Sequence, residues 1–185
     1  MRSIVVEIFF HICCAPCALY PYYRLKEEGF EPTGYFYNPN IHPYQEYRKR
    51  LDTVKEFAGR VGLEVVYRDG YDLDQYLLRV AGTGAQRCEQ CFRMRLDAAA
   101  VAAKERGFRS FTTSLLYSKY QKHDAIVGVG REMASMHGIE FYYEDFRRGW
   151  REGIVESKAM GLYRQQYCGC IYSERDRYRK TADPA

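Results

Sequence analysis

The sequence predicts an α/β fold: a single domain with a parallel-sheet, Rossmann-like (nucleotide-hydrolase-like) core, flanking helices and a basic C-terminal tail. The first supporting observation is the run at residues 4–10, which is apolar apart from Glu7 and rich in β-branched and aromatic side chains, as in a strand buried on both faces. The second is that strand and helix patterns alternate along the chain, which is typical of parallel sheets with right-handed crossovers. Because the 185 residues contain no repeat or linker, residues 1–185 are expected to form one domain.

The first half of the chain supplies three strand patterns and three helix patterns. The strands are predicted at residues 4–10, 33–37 and 63–67, and the helices at residues 20–28, 44–61 and 73–80. Gly29 ends the first helix, and Pro39 and Pro43 in "NPNIHP" forbid regular structure after the second strand. The second helix repeats apolar residues on one face, among them Leu51 and Val54.

The second half of the chain continues the alternation. Helices are predicted at residues 91–106, 123–137 and 150–160, and strands at residues 108–113 and 139–143. The first two of these helices each stop at a glycine, Gly107 and Gly138. The segment "AGTGAQR" that precedes them is predicted to be a loop, and the chain from about Tyr172 is predicted to be ragged and basic.

Charge and hydropathy narrow the class of protein. The formal net charge is +4, and the excess lies at the end of the chain, because residues 147–185 hold 9 Lys and Arg against 5 Asp and Glu. A basic end can steer a protein toward phosphate, although a solvated helix face explains the charge equally well. No stretch approaches the roughly 18 apolar residues of a membrane span. The opening run also lacks a signal-peptide cleavage site, so we expect a cytoplasmic protein with no membrane partner.

The cysteines are the most informative residues. There are seven, an odd number that cannot form a complete disulfide framework, and thiols stay reduced in the cytoplasm. They fall in three tight clusters: Cys13, Cys14 and Cys17; Cys88 and Cys91; Cys168 and Cys170. Two clusters contain a C-x-x-C pair, a spacing at which two thiolates hold one metal ion or cluster. Seven thiols exceed the four that one structural zinc needs, so the pattern favours iron–sulfur over zinc.

Two other interpretations stay open from the residues alone. One is a zinc-stabilised RNA-binding module. The other is a general thiol–disulfide oxidoreductase, because "CAPC" has the C-x-P-C form before a helix, although Cys13, Cys88 and Cys91 then have no role. The C-x-C pair is different, since two thiols separated by one glycine close only a strained disulfide, which is the labile, redox-active kind. Cys168 and Cys170 are therefore the candidate electron carrier.

Five motifs together resemble one known family. They are "HICCAPC", "FYNPNIHP-x-x-EY", "RC-x-x-CF-x-MR", "TTSLLYSKYQ" and "QQYCGCIYS", and they span roughly residues 8–175. The family resembled is that of the iron–sulfur epoxyqueuosine reductases that need no cobalamin. The resemblance implies that an epoxide on the modified guanine at the wobble position of a tRNA is reduced to the alkene, with the oxygen lost as water. It also implies a 4Fe-4S cluster, with room beside it for an additional iron, and an electron donor that the sequence does not identify.

The resemblance assigns roles to all the cysteines. Four correspond to cluster ligands: Cys13, Cys14, Cys88 and Cys91. Cys168 and Cys170 correspond to the redox pair. Two roles fit Cys17: it binds a second iron together with the C-x-C pair, or it only lies beside the cluster.

Epoxide deoxygenation also needs a proton donor within hydrogen-bond reach of the oxygen. Ligands of parallel sheets bind at the carboxyl ends of the strands, and three titratable candidates fall along that edge: His11, His42 and Asp145. The alternative for His42 is a turn-capping role, and the alternative for His11 is a hydrogen-bonded core histidine.

Two patches combine aromatic and basic residues in a way that suits a tRNA. A splayed wobble base stacks on an aromatic ring, and the flanking phosphates meet Arg or Lys. The first patch contains Arg147, Arg148, Trp150 and Arg151, and the second contains Tyr117, Lys119, Tyr120 and Lys122. A solvated loop explains either patch equally well.

Overall fold

A five-stranded parallel sheet forms the centre of the computed structural model, which describes residues 6–179. The strands are β1 (Val6–His11), β2 (Phe30–Phe36), β3 (Val65–Tyr67), β4 (Ser110–Thr113) and β5 (Glu140–Phe141). Every neighbouring pair is parallel, and the order across the sheet is β3-β2-β1-β4-β5. The prediction of one α/β domain with a Rossmann-like parallel sheet is confirmed.

Seven α-helices connect and flank the strands within the described residues. They are α1 (Ala15–Glu27), α2 (Tyr44–Val61), α3 (Leu73–Val80), α4 (Arg87–Glu105), α5 (His123–His137), α6 (Trp150–Ala159) and α7 (Ile171–Tyr178). Short 3₁₀ turns lie at Gly84–Gln86, Ser114–Tyr117 and Phe146–Gly149. None of the helices within residues 6–179 is long and apolar enough to cross a lipid bilayer.

Three helices differ from the prediction. α4 begins at Arg87 rather than at residue 91, and the segment predicted to be a loop contains the 3₁₀ turn Gly84–Gln86 and the first residue of α4. The first helix begins at Ala15 rather than at residue 20, because Pro16 occupies its first turn, where a missing N–H costs nothing. Pro21 lies inside this helix, where the buried side chains of Leu19 and Leu25 compensate for the lost hydrogen bond. The segment predicted to be ragged contains a further helix, α7. Residues 4–5 of the predicted first strand, and the end of the basic tail, lie outside the described residues.

The sheet places the cysteine-rich loop at a crevice. β1 is the central strand, and Ile8, Phe9 and Phe10 are fully buried within it, as predicted for a strand covered on both faces. The chain leaves β1 toward β2 on one side, and β4 lies on the other, which makes the β1–β4 boundary the topological switch point where ligands of open α/β sheets bind. Across this boundary the backbone N–H of Cys13 donates to Ser114 Oγ at 2.9 Å.

Candidate metal and redox centre

Three thiols meet where β1 passes into α1, and we call Cys13, Cys14 and Cys17 the thiol trio. Their Sγ atoms all lie within 4.8 Å of one another, and those of Cys13 and Cys14 are 3.8 Å apart. Cys14 is the extended N-cap residue of α1, and Cys17 lies in its first turn. Cys14 and Cys17 are buried, and Cys13 is partly buried. The trio therefore presents three sulfur donors at a spacing that suits one metal centre.

The pKa values of the three thiols in the trio are shifted in different directions. Hydrogen bonds from the Cys14 and Cys17 thiols, joined by one from Ser114, hold the pKa of Cys13 well below its usual range. Burial raises the pKa of Cys14, and hydrogen bonding to the other two sulfurs, mainly Cys13, raises the pKa of Cys17. The amide of Gln165 donates to Cys14 Sγ at 2.8 Å and reaches Cys17 Sγ at 3.5 Å. The neighbouring donors therefore favour a thiolate at Cys13.

The second C-x-x-C pair lies on the first turns of α4. Cys91 is buried against Tyr76 and Val80 of α3, and Cys170 packs on the same cluster from the other side. Burial raises the pKa of Cys91 to about 12. Cys88 is partly buried against the main core. Within the described residues, the trio is the only group of three or more potential ligands whose donor atoms lie close enough together to bind one metal ion. Cys88 and Cys91 do not belong to that group.

A buried arginine lies between the cysteine clusters. Arg95 is only 1% exposed, and its Nε donates to the carbonyl of Cys91 at 3.2 Å. The thiol charges that act on it most strongly are those of Cys91, Cys168 and Cys13. Its Nη2 makes no hydrogen bond within the described residues. A buried guanidinium needs anionic neighbours, so this position suits thiolates with a net negative charge.

These residues fit an iron–sulfur group. The donors are thiolate sulfurs, the ligands of such clusters, and Arg95 supplies a buried counter-charge. Several buried polar atoms at this edge also have no hydrogen-bond partner within residues 6–179: both ring nitrogens of His42, Tyr76 Oη and Gln165 Oε1. Buried polar groups are normally satisfied, so the pattern points to a further group in the crevice.

The C-x-C pair lies on a loop held by its backbone. Arg50, which is almost fully buried, donates through Nη2 to the carbonyl of Tyr167 at 3.0 Å and through Nη1 to that of Cys168 at 2.9 Å. Its Nε pairs with Glu46 at 2.7 Å, and Glu46 also accepts from the Tyr163 hydroxyl at 2.6 Å. We call Arg50 and Glu46 the buried clamp. It fixes the loop without engaging either sulfur.

A second set of contacts surrounds the glycine of the pair. The carbonyl of Gly169 accepts the backbone N–H of His42 at 2.8 Å. Gly169 has φ +139°, and a Cβ built there would lie 3.0 Å from Asn40 Nδ2 and 3.1 Å from Arg50 Nη1. Only glycine combines this conformation with this close approach, which gives the central residue of "CGC" a structural reason.

The two thiols of the pair have different surroundings. Cys168 is exposed, and its Sγ accepts the Gln121 amide at 3.1 Å. Cys170 is partly buried at the N-cap of α7, where its Sγ accepts the backbone N–H of Ser173 at 3.3 Å. Although the residue as a whole is exposed, protein atoms around its sulfur desolvate the thiol and raise the pKa of Cys168, and the hydrogen bond from Gln121 opposes that rise. All seven cysteines are free thiols.

The predicted proton donors differ in their surroundings. The His11 ring is fully buried and bonds to Thr113 Oγ1 at 2.8 Å and to the Tyr37 carbonyl at 3.2 Å, and burial lowers its pKa to about 4. This is the core-histidine alternative. Hydrogen bonds from Arg147 lower the pKa of Asp145, whose carboxylate binds that guanidinium through both oxygens at 2.7 Å. A paired carboxylate is a poor acid, so this contact does not support Asp145 as a donor.

His42 keeps the features of a candidate acid. Its side chain is buried between the rings of Tyr71 and Tyr76, with centroid distances of 5.9 and 4.9 Å. Its backbone meets the C-x-C loop at two points, since its N–H donates to Gly169 and its carbonyl accepts from the Tyr167 hydroxyl. Burial lowers the pKa of the imidazole. Its role as proton donor stays a prediction.

The buried clamp and the amide donors to sulfur were not predicted from the sequence. Charged residues such as Arg50 and Glu46 are usually exposed on a helix, but their i, i+4 spacing follows the buried face of α2. Gln165 and Gln121 lie within the motifs "QQYCGCIYS" and "TTSLLYSKYQ", but an amide carries no sequence signal for a thiol contact. The two predicted aromatic–basic patches form one surface in the structure. Trp150 joins them, because its ring packs against both Tyr117 and Tyr120.

Comparisons with known proteins identify relatives of this chain. The family model described as "Epoxyqueuosine reductase QueH" matches residues 8–176. A protein of that name from Dehalococcoides mccartyi is 37% identical over 97% of this chain and 98% of its own length. Another from Thermotoga maritima is 34% identical over 95% of this chain and 94% of its own length.

Two solved structures share the fold at low sequence identity. One is described as a predicted subunit of tRNA methyltransferase from Methanocaldococcus jannaschii, with a TM-score of 0.54 and 12% identity over 83% of this chain and 75% of its own. The other is the U34-tRNA thiolase NcsA from Methanococcus maripaludis with its 4Fe-4S cluster, with a TM-score of 0.54 and 15% identity over 94% of this chain and 64% of its own. These two show the architecture alone. The family match and the near-full-length relatives show more: the chain belongs to the epoxyqueuosine reductase QueH family.

Proposed function

We propose that this enzyme, an epoxyqueuosine reductase by family, reduces the epoxide of epoxyqueuosine at the tRNA wobble position to the alkene of queuosine and releases water. The observation that carries the proposal is the position of the thiol trio. Three sulfur atoms within 4.8 Å of one another lie at the switch point of the sheet, in a chain whose family performs this reduction.

The C-x-C pair can supply the electrons and protons that the reaction consumes. Both C–O bonds of the epoxide break, an alkene forms, and the oxygen leaves as water. This requires two electrons and two protons, which are what two thiols release when they close to a disulfide. We assign that step to Cys168 and Cys170, because the clamp holds their loop by its carbonyls and leaves both sulfurs free.

The remaining cysteines are assigned to the cofactor. We propose that Cys13, Cys14, Cys88 and Cys91 hold a 4Fe-4S cluster, with Arg95 as the buried counter-charge. When bound, such a cluster would supply one-electron transfers, and an additional iron with an open position would polarise an oxygen ligand. Cys17 Sγ lies within 4.8 Å of the sulfurs of Cys13 and Cys14, which supports a ligand role over a bystander role, and we propose that it binds an additional iron beside the cluster. His42 is the proposed proton donor, since its ring nitrogens are unpartnered within the described residues.

Reduction of the disulfide requires an external electron donor. Cys168 is the exposed member of the pair, so the donor is proposed to reach the site there. The alternatives, a zinc-stabilised RNA-binding module and a general thiol–disulfide oxidoreductase, are not favoured. The "CAPC" thiols Cys14 and Cys17 are both buried, and both have raised pKa values, whereas an attacking thiol of an oxidoreductase is accessible and acidic.

The test is anaerobic purification followed by single turnover on tRNA that carries epoxyqueuosine. We expect iron and acid-labile sulfide in the protein, and a nucleoside product lighter by one oxygen atom in mass spectrometry. The matched control is the same tRNA already carrying queuosine, which should not change. Stoichiometric zinc without iron, or an iron-loaded protein that leaves the epoxide intact, would overturn the proposal.

A further inference from the structure

Trp150 joins the two aromatic–basic patches into one surface. Its ring centroid lies 5.1 Å from that of Tyr117 and 5.5 Å from that of Tyr120. We call these three rings the aromatic platform. Tyr117 is buried, Trp150 is partly exposed, and Tyr120 is 88% exposed, more than any other tyrosine in the part of the chain that the structure describes. The platform therefore presents one ring to solvent and anchors it on two others.

The platform adjoins the proposed reaction centre on two sides. The residue after Tyr120 is Gln121, whose amide donates to Cys168 Sγ at 3.1 Å. At the buried end, Tyr117 belongs to the same hydrophobic core as Cys14 and Cys17. The backbone N–H of Tyr120 donates to Ser118 Oγ at 3.2 Å, which shapes the loop that carries the exposed ring.

Two exposed cations neighbour residues of the platform in the sequence. Lys119 precedes Tyr120, and Arg151 follows Trp150 at the start of α6. Both are exposed, and neither forms an ion pair within residues 6–179. An exposed aromatic ring with unpaired cations beside it is the arrangement by which proteins bind single-stranded nucleic acid, through base stacking and phosphate contacts.

We propose that Tyr120 stacks a nucleobase adjacent to the wobble nucleotide, while Lys119 and Arg151 contact the flanking phosphates. The inference rests on the proposed function, which makes a tRNA the substrate. A wobble base that reaches sulfurs at the sheet edge must leave the anticodon stack, and its neighbour loses a stacking partner. The Tyr120 ring stands where that partner can be replaced, one residue from the contact with Cys168.

The first test is the affinity for an anticodon stem-loop RNA, measured by fluorescence anisotropy with no turnover required. Tyr120→Ala should weaken binding about 5- to 140-fold, the usual effect of losing one stacked base. Tyr120→Phe should restore affinity, because the stacking face is kept. The matched control is Tyr23→Ala, since Tyr23 is also exposed but lines a cavity with Glu27, Glu144 and Glu152.

The second test separates phosphate contacts from stacking. Lys119→Ala and Arg151→Ala should each reduce the slope of log affinity against log salt by about 1. Lys26→Ala, at the far end of α1, should leave that slope unchanged. A stem-loop with photoreactive 4-thiouridine beside the wobble position should cross-link to Tyr120 or Trp150.

The possible results of these experiments distinguish a failure of the aromatic platform from a failure of the proposed function. If Tyr120→Ala binds the stem-loop as tightly as wild type, or if cross-links form only elsewhere, the inference is wrong even when the enzyme converts its substrate. If Tyr120→Ala binds RNA normally but loses turnover only with a protein reductant, the surface belongs to the electron donor, and the inference is also wrong. If wild type binds through Tyr120 but leaves the epoxide intact, the proposed function fails and the platform stands.

Discussion

The thiol trio and the C-x-C loop are both built of cysteines, but the protein holds them in opposite ways. The trio is fixed through its side chains: the sulfurs contact one another, Ser114 and Gln165, and two of the three are buried. The C-x-C loop is fixed through its backbone: Arg50 holds two of its carbonyls and His42 holds a third. Within residues 6–179, the sulfur of Cys168, the exposed residue of the pair, receives a hydrogen bond only from Gln121.

The difference matches the chemistry assigned to each. Sulfurs that hold a metal centre need constant mutual distances, which a strand end and the first turn of a helix provide. Sulfurs that open and close a disulfide must move relative to each other while their backbone stays in place. The clamp of Arg50 and Glu46 is arranged for the second task, so the two regions should respond differently to substitution.

The largest effect is expected for ligands assigned to the cluster. Cys88→Ala and Cys91→Ala each remove one of the four thiolates assigned to the cluster, and the three that remain cannot complete its coordination, so iron, acid-labile sulfide and turnover should all be lost. Metal analysis and absorbance of anaerobically purified protein check this. A variant that keeps full iron and its colour would remove that cysteine from the ligand set.

The next largest effect is expected for the clamp. Arg50→Met leaves the Glu46 carboxylate buried without its partner, which should lower the free energy of unfolding by about 3–5 kcal/mol. Chemical denaturation measures the loss. The double variant with Glu46→Gln removes the unpaired charge and should recover part of that stability but not turnover, because the carbonyls of the C-x-C loop stay unheld. Turnover restored in the double variant would show that the clamp serves stability alone.

Gly169→Ala is expected to have a more local effect. The added Cβ requires both an unfavourable φ and contacts near 3.0 Å with Asn40 and Arg50, so turnover should fall sharply while iron content is kept. Gly161→Ala is the matched control. That residue has φ +65° with nothing within 4 Å of the added Cβ, so it should cost only about 1–2 kcal/mol of stability. Equal turnover losses in both variants would argue against a special position for Gly169.

The smallest effect concerns the thiol of Cys168. Desolvation of the sulfur by surrounding protein atoms raises its pKa although the residue is exposed, and the Gln121 amide opposes the rise by donating to the sulfur, so Gln121→Ala should raise the pKa further. In metal-free protein the pH profile of Cys168 alkylation should move to higher pH, with a rate about fivefold lower at fixed pH for a lost hydrogen bond of ~1 kcal/mol. Peptide mass spectrometry follows this site. Gln166→Ala, whose amide bonds only to the Arg164 carbonyl, should leave the profile unchanged.

The sequence was sufficient for the parts of the site that depend on short spacings. The positions of Cys13, Cys14 and Cys17 at a strand end, and of Cys88 and Cys91 at a helix start, follow from apolar runs and C-x-x-C spacing alone. The strand and helix alternation similarly predicted the parallel sheet. These features are local, so a pattern of a few residues carries them.

The clamp and the donors to sulfur were beyond sequence reasoning. Arg50 reaches carbonyls 117 and 118 positions away, and Gln165 reaches Cys14 across 151 positions. Such contacts depend on how α2 and the C-terminal segment meet at the sheet edge, which no local pattern encodes. The first helix was predicted too short for a related reason: prolines disfavour helix locally, and burial in the core outweighs them.

The division between the two cysteine regions is tested most directly by Cys170→Ser. Serine cannot form the disulfide, whereas a cluster held by Cys13, Cys14, Cys88 and Cys91 does not need Cys170. Iron, acid-labile sulfide and alkene product should be measured on one preparation, with wild type beside it. We predict full cluster iron and no alkene product. Loss of cluster iron would contradict this account by making the C-x-C pair a cluster ligand, and full turnover would contradict it by reducing "CGC" to a structural turn.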